Sequence, residues 1–159
     1  MAKRSKKGDA GRDIATNRQA RFRYHLLETW EAGIVLQGSE VKSVRAGKVN
    51  LKDSYAAVHD VEVWLHNCHI APYGPAAREG HDPERPRKLL MHRKEIERMI
   101  GKTAERGLTI VPVRMYFSGP RVKVELALAR GKEQRDKREA IRARDQRREI
   151  ERALKERSH

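Results

Sequence analysis

Alternation of apolar and polar side chains predicts β-strands along much of the chain, most clearly in residues 121–129. Val122, Val124 and Leu126 alternate there with charged residues, and Leu128 continues the apolar series. A period of two is the pattern of a strand that buries one face and exposes the other. We therefore expect a strand whose apolar face lies in the core.

Other stretches show the same alternation and extend the predicted sheet to about six strands. They are residues 22–26, 32–36, 54–58, 61–70 and 108–117. The short segments at 27–31 and 59–60 predict hairpin turns between consecutive strands. Pro112 lacks a backbone N–H, so it predicts an edge position or a bulge in the strand at 108–117. Phe22 and Tyr24 share an apolar face in the first strand, which places both rings in the core.

Helical spacing is confined to short segments of the central region. Val41 and Val44 lie three residues apart, and Ile96 and Met99 recur at helical spacing within residues 92–105. An antiparallel sheet this small avoids exposed edges by closing on itself. The sequence therefore predicts a mainly β fold with short helices, in which about six antiparallel strands form a barrel.

Charge is concentrated at the two ends of this 159-residue chain, whose formal net charge is +14. Residues 1–24 carry a net charge of +6 and residues 130–159 carry +5, so the middle is close to neutral. We expect a disordered basic segment at 1–16, a folded domain at 17–130 and a basic tail at 131–159. Basic ends on a nearly neutral body favour a polyanionic partner, nucleic acid before a membrane surface.

The tail lacks the apolar stripe that would dock a helix onto the domain. Its large apolar side chains are only Ile141, Ile150 and Leu154, although strong helix formers are frequent. Arginine is its main cation and suits bidentate phosphate contacts. We expect the tail to be disordered in the free protein and helical against a polyanion. The alternative is a tail that only keeps the protein soluble.

Composition argues against several other classes of protein. No apolar run is long enough to cross a bilayer, and the single Cys68 cannot form an internal disulfide. His66, Cys68 and His69 do not match a metal site, because neighbouring strand residues point to opposite faces and a second cysteine is lacking. Carboxylates are scattered among lysines and arginines rather than clustered. We predict a cytoplasmic protein that is not an enzyme and needs no metal or cofactor.

Three groups of polar and basic side chains are candidate contacts for RNA phosphate. They are Asn17, Arg18 and Arg21; Lys42, Arg45 and Lys48; and the basic run of Arg85, Arg87, Lys88, Arg93 and Lys94. The second group lies at a strand–turn–helix corner flanked by glycines, which would hold its cations on a rigid frame. For each group the alternative is an ordinary solvated surface, and charge alone does not separate the two.

A series of sequence motifs runs through the chain in a fixed order. They are GIVLQGSEVKSVRAGKVNL at 33–51, DSY at 53–55, HIAPY at 69–73, RPRKLL at 85–90, GLTIVP at 107–112, YF at 116–117, KVELA at 123–127, GK at 131–132 and DKR at 136–138. Any one of them is weak evidence. Together they resemble the bacterial SsrA-binding protein family, SmpB, over residues 17–154.

The resemblance implies an oligonucleotide-binding (OB)-like β-barrel that binds the tRNA-like domain of transfer-messenger RNA (tmRNA). With elongation factor Tu, such a protein delivers the RNA to ribosomes stalled on truncated messages. The nascent peptide is then tagged and the ribosome released, which is called trans-translation. The tail would enter the empty mRNA channel and become helical near the decoding centre. We expect a monomer when free. The alternative is a structural ribosomal protein or another ribosome-associated RNA-binding protein, since either would also be small and basic.

The resemblance also implies which side chains contact RNA. It assigns the RNA face to Asn17, Arg18, Glu31, Arg45 and Leu90, with Lys42, Lys48, Arg87, Lys88 and Lys123 beside them. A carboxylate such as Glu31 can accept hydrogen bonds from a base edge, and Leu90 can pack on an exposed base.

In the tail, the resemblance implies a ribosome-binding segment. The matching positions are Gly131, Lys132, Asp136, Lys137 and Arg138. Arg135 stands where many members carry histidine or an aromatic residue, and its guanidinium can also stack on a base. The loop at 74–82 differs from the family pattern, so no role is assigned to it.

Overall fold

The computed structural model describes residues 12–73, 81–105, 107–132 and 134–157. In chain order the elements are β1 (Asp13–Thr16), α1 (Arg18–Arg23), β2 (Tyr24–Ile34), α2 (Gly38–Arg45), β3 (Val49–Asn50), β4 (Tyr55–His59), β5 (Glu62–His66), β6 (His69–Ile70), β7 (Arg87–Leu90), α3 (Arg93–Thr103), β8 (Leu108–Ser118), β9 (Arg121–Gly131) and α4 (Gln134–Arg157). Within these ranges no helix is both long and apolar enough to span a membrane.

Six antiparallel strands form a closed ring in the order β8–β4–β5–β7–β2–β9, and β9 pairs back onto β8. β1 pairs with β8, while β3 and β6 form a separate two-stranded sheet. Closure satisfies the backbone groups that an open sheet of this size would expose. The ring confirms the predicted mainly β fold with about six antiparallel strands and short helices.

The main core is formed by apolar side chains from every strand of the ring. Two helices add to it, with Val44 from α2 and Ile96 and Met99 from α3. Cys68 is fully buried in the same cluster, and burial raises the pKa of its thiol to about 11. The thiol is therefore protonated at neutral pH and acts as a small apolar side chain.

The predicted hairpin over residues 22–36, with its turn at 27–31, is wrong. One strand, β2, runs from Tyr24 to Ile34 and pairs with β9 along most of its length. A register shift between Leu26 and Glu28 marks a bulge, which reverses the alternation of the side chains. The charged residues at the bulge give the sequence the pattern of a turn, but the ladder with β9 keeps the strand continuous.

The prediction that Phe22 lies in the core is also wrong, because this residue belongs to α1 and is 44% exposed. Tyr24 agrees better with the prediction. It is half-buried and packs with Leu26 against a small cluster that includes Ala20 and Ala129, where α1 covers the outside of the ring.

The expected bulge at Pro112 is confirmed. The register between β8 and β9 shifts between Pro112 and Arg114, so Val113 has no partner in the ladder. The free carbonyl of Val113 accepts a hydrogen bond from the backbone N–H of Asn17, at 2.7 Å. The bulge therefore helps to anchor the start of α1 against the ring.

The two ends of the chain differ from the predicted tails. Asp13–Thr16 lies inside the segment 1–16 that we predicted to be disordered, yet it forms β1 on the edge of β8, while residues 1–11 lie outside the described part. The basic tail forms α4, in which residues 141–157 are all exposed, as expected for a helix without an apolar stripe. Its disorder in the free protein stays a prediction.

Candidate nucleic-acid interface

The outer face of β2, β9 and β8 brings Glu31 and Lys123 together. Lys123 lies opposite Gly33 of β2 on one side and opposite Tyr116 of β8 on the other. The Nζ atom of Lys123 is 3.7 Å from Oε1 of Glu31, and the Tyr116 hydroxyl donates a hydrogen bond to Oε2 of Glu31. Three neighbouring strands thus present an acceptor and a cation side by side.

Leu90, the last residue of β7, lies beside this pair. It is opposite Gly33 in the β2–β7 ladder and is 52% exposed. Two adjoining depressions of about 390 and 550 Å³ share Leu90 and Lys123; Glu31 lines the smaller, and Val41 of α2 lines the larger. We call the surface lined by Glu31, Gly33, Leu90 and Lys123 the outer groove. It brings together three of the predicted RNA-binding residues.

Gly33 keeps the outer groove open next to Leu90. A Cβ atom at this position would lie 3.3 Å from the Cβ atom of Leu90, which is closer than side chains normally pack. An exposed leucine next to a carboxylate and an ammonium group suits the face and the edge of an unpaired base.

The three predicted cations of the strand–helix corner lie on α2 and the turn after it. Lys42, Arg45 and Lys48 are all exposed, as predicted. The ammonium of Lys42 lies 5.6 Å from the centre of the Tyr73 ring, within the range of a cation–π contact. Val41 of the same helix lines the larger depression, so α2 borders the outer groove.

The prediction that Arg87 contacts RNA is contradicted, because its side chain is completely buried. Leu89 faces the core, and Arg87 is two residues before it on the same face of β7. The Nε atom of Arg87 donates to Oε2 of Glu40, and its Nη1 atom donates to the carbonyl of Cys68 at 2.7 Å. Its Nη2 atom donates to the carbonyl of Pro83 at 3.1 Å, so Arg87 holds α2 and the segment before β7 against the core.

Glu40 is the buried partner of Arg87 and fixes α2 in place. Burial disfavours its charge, but the Gln37 backbone N–H and the guanidinium groups of Arg85 and Arg87 outweigh this effect and lower its pKa. The Gln37 bond caps the N-terminus of α2. The buried pair thus orients the helix that carries the exposed corner cations.

Lys88 lies on the outer side of β7, two residues before Leu90, and its side chain is 41% exposed. Its Nζ atom is 3.1 Å from Oε1 of Glu62 on the neighbouring strand β5. An RNA phosphate would have to share this cation with Glu62.

The predicted group at the start of the domain lies at the junction of β1 and α1. Asn17 is 8% exposed, and its amide nitrogen donates to the carbonyls of Leu51 and Pro112. Its side chain therefore joins α1 to the ring, which corrects its expected role as a direct RNA contact. Arg18 and Arg21 are exposed on α1, which leads into β2 at Tyr24.

The tail begins beside α1. Gly131 pairs with Tyr24 as the last residue of β9, and Lys132 donates to the carbonyls of Arg23 and Arg21. These two predicted ribosome-binding residues are thus part of the folded body. The other predicted ribosome-binding residues lie at the start of α4: Arg135, Asp136 and Lys137 belong to its first turn, and Arg138 follows them.

Sequence reasoning did not identify Arg114 and Tyr116 of β8 as site residues. Tyr116 contacts Glu31 of β2, and Arg114 lies over the Tyr116 ring. Tyr116 has the right spacing for the outer face, but a tyrosine inside an apolar strand gives no sign of its partner. In the described ranges, no group of three or more His, Cys, Asp or Glu side chains is placed to hold a metal ion.

Comparison with known proteins identifies the family. The model of the SmpB protein family matches residues 14–156. This chain belongs to the SmpB family. The resemblance found in the sequence motifs is therefore confirmed.

Individual SmpB relatives are similar over nearly their whole length. The SsrA-binding protein of Sulfurihydrogenibium sp. (strain YO3AOP1) is 58% identical over 142 residues, which are 89% of this chain and 93% of the relative. That of Trichodesmium erythraeum (strain IMS101) is 54% identical over 157 residues, or 98% and 99% of the two chains. A solved chain from the structure described as "tmRNA-SmpB: a journey to the center of the bacterial ribosome" is 48% identical, with a TM-score of 0.66, and the match covers 80% of this chain and 94% of that chain.

Proposed function

We propose that this protein binds the tRNA-like domain of tmRNA and serves trans-translation as an adaptor. Family membership and the names of its relatives support tmRNA as the ligand. The observation that carries the proposal is the outer groove, in which Glu31, Leu90 and Lys123 offer an acceptor, an apolar contact and a cation within one surface. Specific recognition of folded RNA needs such contacts to bases in addition to phosphate contacts.

Each part of the groove has its own task in this proposal. Glu31 accepts hydrogen bonds from the edge of an unpaired base, and Leu90 packs against a base face. Lys123 and the cations of α2 contact phosphates and hold the RNA in register. Binding, rather than bond making or breaking, is the whole of this chemistry.

On the ribosome, we propose that the complex arrives with elongation factor Tu and that α4 enters the empty mRNA channel near the decoding centre. The exposed cations within residues 141–157 of α4 support this role, since exposed arginines can contact rRNA phosphates. The protein would act in the cytoplasm as a monomer until it binds RNA.

Replacing Glu31 by alanine tests the RNA contact. We expect the affinity of the purified protein for a tRNA-like tmRNA fragment to fall by about 1–3 kcal/mol, because donors on the base lose their partner. Filter binding with labelled RNA measures the change, and an unrelated hairpin of equal length reports nonspecific binding.

Glu28→Ala is the matched control for this test. Glu28 lies on the same strand, but its carboxylate pairs with Arg98 of α3, at 2.6 Å, and lies outside the outer groove. Its replacement should leave RNA affinity unchanged. If Glu31→Ala behaves like Glu28→Ala, Glu31 is not an RNA contact. If the intact protein does not prefer the tRNA-like fragment over the hairpin, the proposed function itself fails.

A further inference from the structure

Glu31 is exposed, yet a buried tyrosine holds it. Its side chain is 55% exposed, whereas Tyr116 is only 4% exposed and donates its hydroxyl hydrogen to Oε2 of Glu31. Burial, followed by the hydrogen bond to Glu31, raises the pKa of Tyr116, so the hydroxyl remains a donor at neutral pH. A rigid donor thus determines where the carboxylate points.

Tyr116 is in turn held by Arg114 on the same strand. The guanidinium carbon of Arg114 lies 4.1 Å from the centre of the Tyr116 ring. The guanidinium is fixed at two points, by Glu125 of β9 at 2.9 Å and by Asp13 of β1 at 2.7 Å. Such double anchoring keeps the cation above the ring. The chain of contacts runs from β1 through β8 to Glu31.

The arrangement prevents two competing positions of the Glu31 carboxylate. The Nζ atom of Lys123 is 3.7 Å from Oε1 of Glu31, which is longer than a direct hydrogen bond. If the Glu31 side chain were flexible, the two groups would move into direct contact and each charge would be neutralised by the other. Glu125 lies directly opposite Glu31 in the β2–β9 ladder, where like charges repel. Arg114 neutralises Glu125, and Tyr116 fastens one oxygen of Glu31.

We propose that Tyr116, held by Arg114, is a positioning residue for RNA recognition. It binds one oxygen of Glu31, so that the other oxygen and the Lys123 ammonium stay side by side as an acceptor and a donor for the edge of an unpaired base. This inference rests on the proposed function, because it assigns Glu31 to RNA. It also makes β1, through Asp13, a structural part of the RNA site.

Tyr116→Phe removes only the hydroxyl and tests the proposal. We expect about tenfold weaker binding of the tRNA-like tmRNA fragment, the size of a lost hydrogen bond to a charged group. Tyr55→Phe is the control, since this tyrosine begins β4 beside the far half of β8 and lies outside the outer groove. It should leave RNA affinity unchanged. Thermal melting followed by circular dichroism shows whether each variant is folded.

A positioning role must disappear when the positioned group is removed. In a Glu31→Ala background, Tyr116→Phe should therefore cause no further loss of affinity, whereas a general structural defect would weaken binding in both backgrounds. Arg114→Met gives a second measurement that leaves the hydroxyl in place, and it should weaken binding about threefold, again only when Glu31 is present.

Each possible result decides the proposal. Wild-type affinity of Tyr116→Phe, or an equal loss in both backgrounds, overturns the positioning role. Should Tyr116→Phe fail to fold, the Arg114→Met pair of measurements decides instead by the same criterion. If Glu31→Ala alone leaves affinity unchanged, the positioning role falls too, while a retained preference for the tRNA-like fragment would still support the proposed function.

Discussion

Two consecutive cations of β7 have different roles: Arg87 is structural, and Lys88 lies on the surface. Lys88 and Leu90 face outward and Arg87 and Leu89 face inward, because successive strand side chains alternate. The burial of Arg87 is predictable from sequence, since the residue two before a core leucine shares its face. Glu31 has no such signal, because a single carboxylate in a charged stretch looks like any solvated residue. Only the resemblance to the SmpB family pointed to it.

The buried pair of Arg87 and Glu40 leads to a prediction about stability. Replacing Arg87 by methionine keeps much of the side-chain volume but leaves Glu40 buried with Arg85 as its remaining cation. We expect the free energy of unfolding to fall by about 3–5 kcal/mol at neutral pH, the usual effect of removing one partner of a buried ion pair. Urea denaturation followed by tryptophan fluorescence measures it. Arg98→Met, which breaks the more exposed pair with Glu28, should cost less than about 1 kcal/mol.

Lower pH distinguishes charge from packing in this variant. The pKa of Glu40 is lowered by folding, so its pairing stabilises the protein above the ordinary pKa of a glutamate, and this contribution is lost as the pH falls through the lowered value. The difference in unfolding free energy between wild type and Arg87→Met should have its maximum at neutral pH and become smaller below about pH 4. An unchanged difference under acid conditions would assign the loss to packing.

At the scale of elements, regular alternation was enough to predict β9 and the β4–β5 hairpin, and Pro112 was enough to predict the bulge in β8. β1 and β2 depend on contacts that are distant in the sequence. β1 is only four residues long and is held by pairing with β8 and by the Asp13–Arg114 ion pair, whose members are 101 positions apart. The bulge after Leu26 breaks the alternation of β2, so a local pattern cannot show that one strand continues through it.

α4 is an element that can be removed without opening the ring. Truncation after Lys132 keeps the pairing of Gly131 with Tyr24 and the bonds from Lys132 to α1. We expect the truncated protein to bind the tRNA-like fragment within about threefold of wild type, because distant exposed groups contribute little. Peptide tagging on stalled ribosomes, measured by translation of a message without a stop codon, should be lost.

A cut at Ala129 provides the comparison for this truncation. It removes the last two strand residues, Arg130 and Gly131, together with Lys132, so it should also lower the melting temperature. If truncation after Lys132 already abolishes RNA binding, the division into an RNA-binding body and a ribosome-binding tail is wrong.

At the scale of the whole molecule, β2 connects two surfaces. The outer groove lies toward its Ile34 end, and α1 with the root of the tail lies at its Tyr24 end, roughly 20–30 Å away at the rise of a strand. Two separated surfaces suit an adaptor that holds one RNA while it meets another.

The distribution of cations predicts how salt affects RNA binding. Lys42, Arg45 and Lys48 are exposed on α2 and the turn after it, and each phosphate contact releases condensed counterions. With on the order of five such contacts, log Kd for the tRNA-like fragment should rise with log salt at a slope of about 4. Lys42→Ala with Arg45→Ala should lower that slope by about 1.5, whereas Lys52→Ala with Lys102→Ala removes equal charge elsewhere and should change it little. Equal slopes for the two double variants would show that α2 contributes only long-range attraction and makes no phosphate contact.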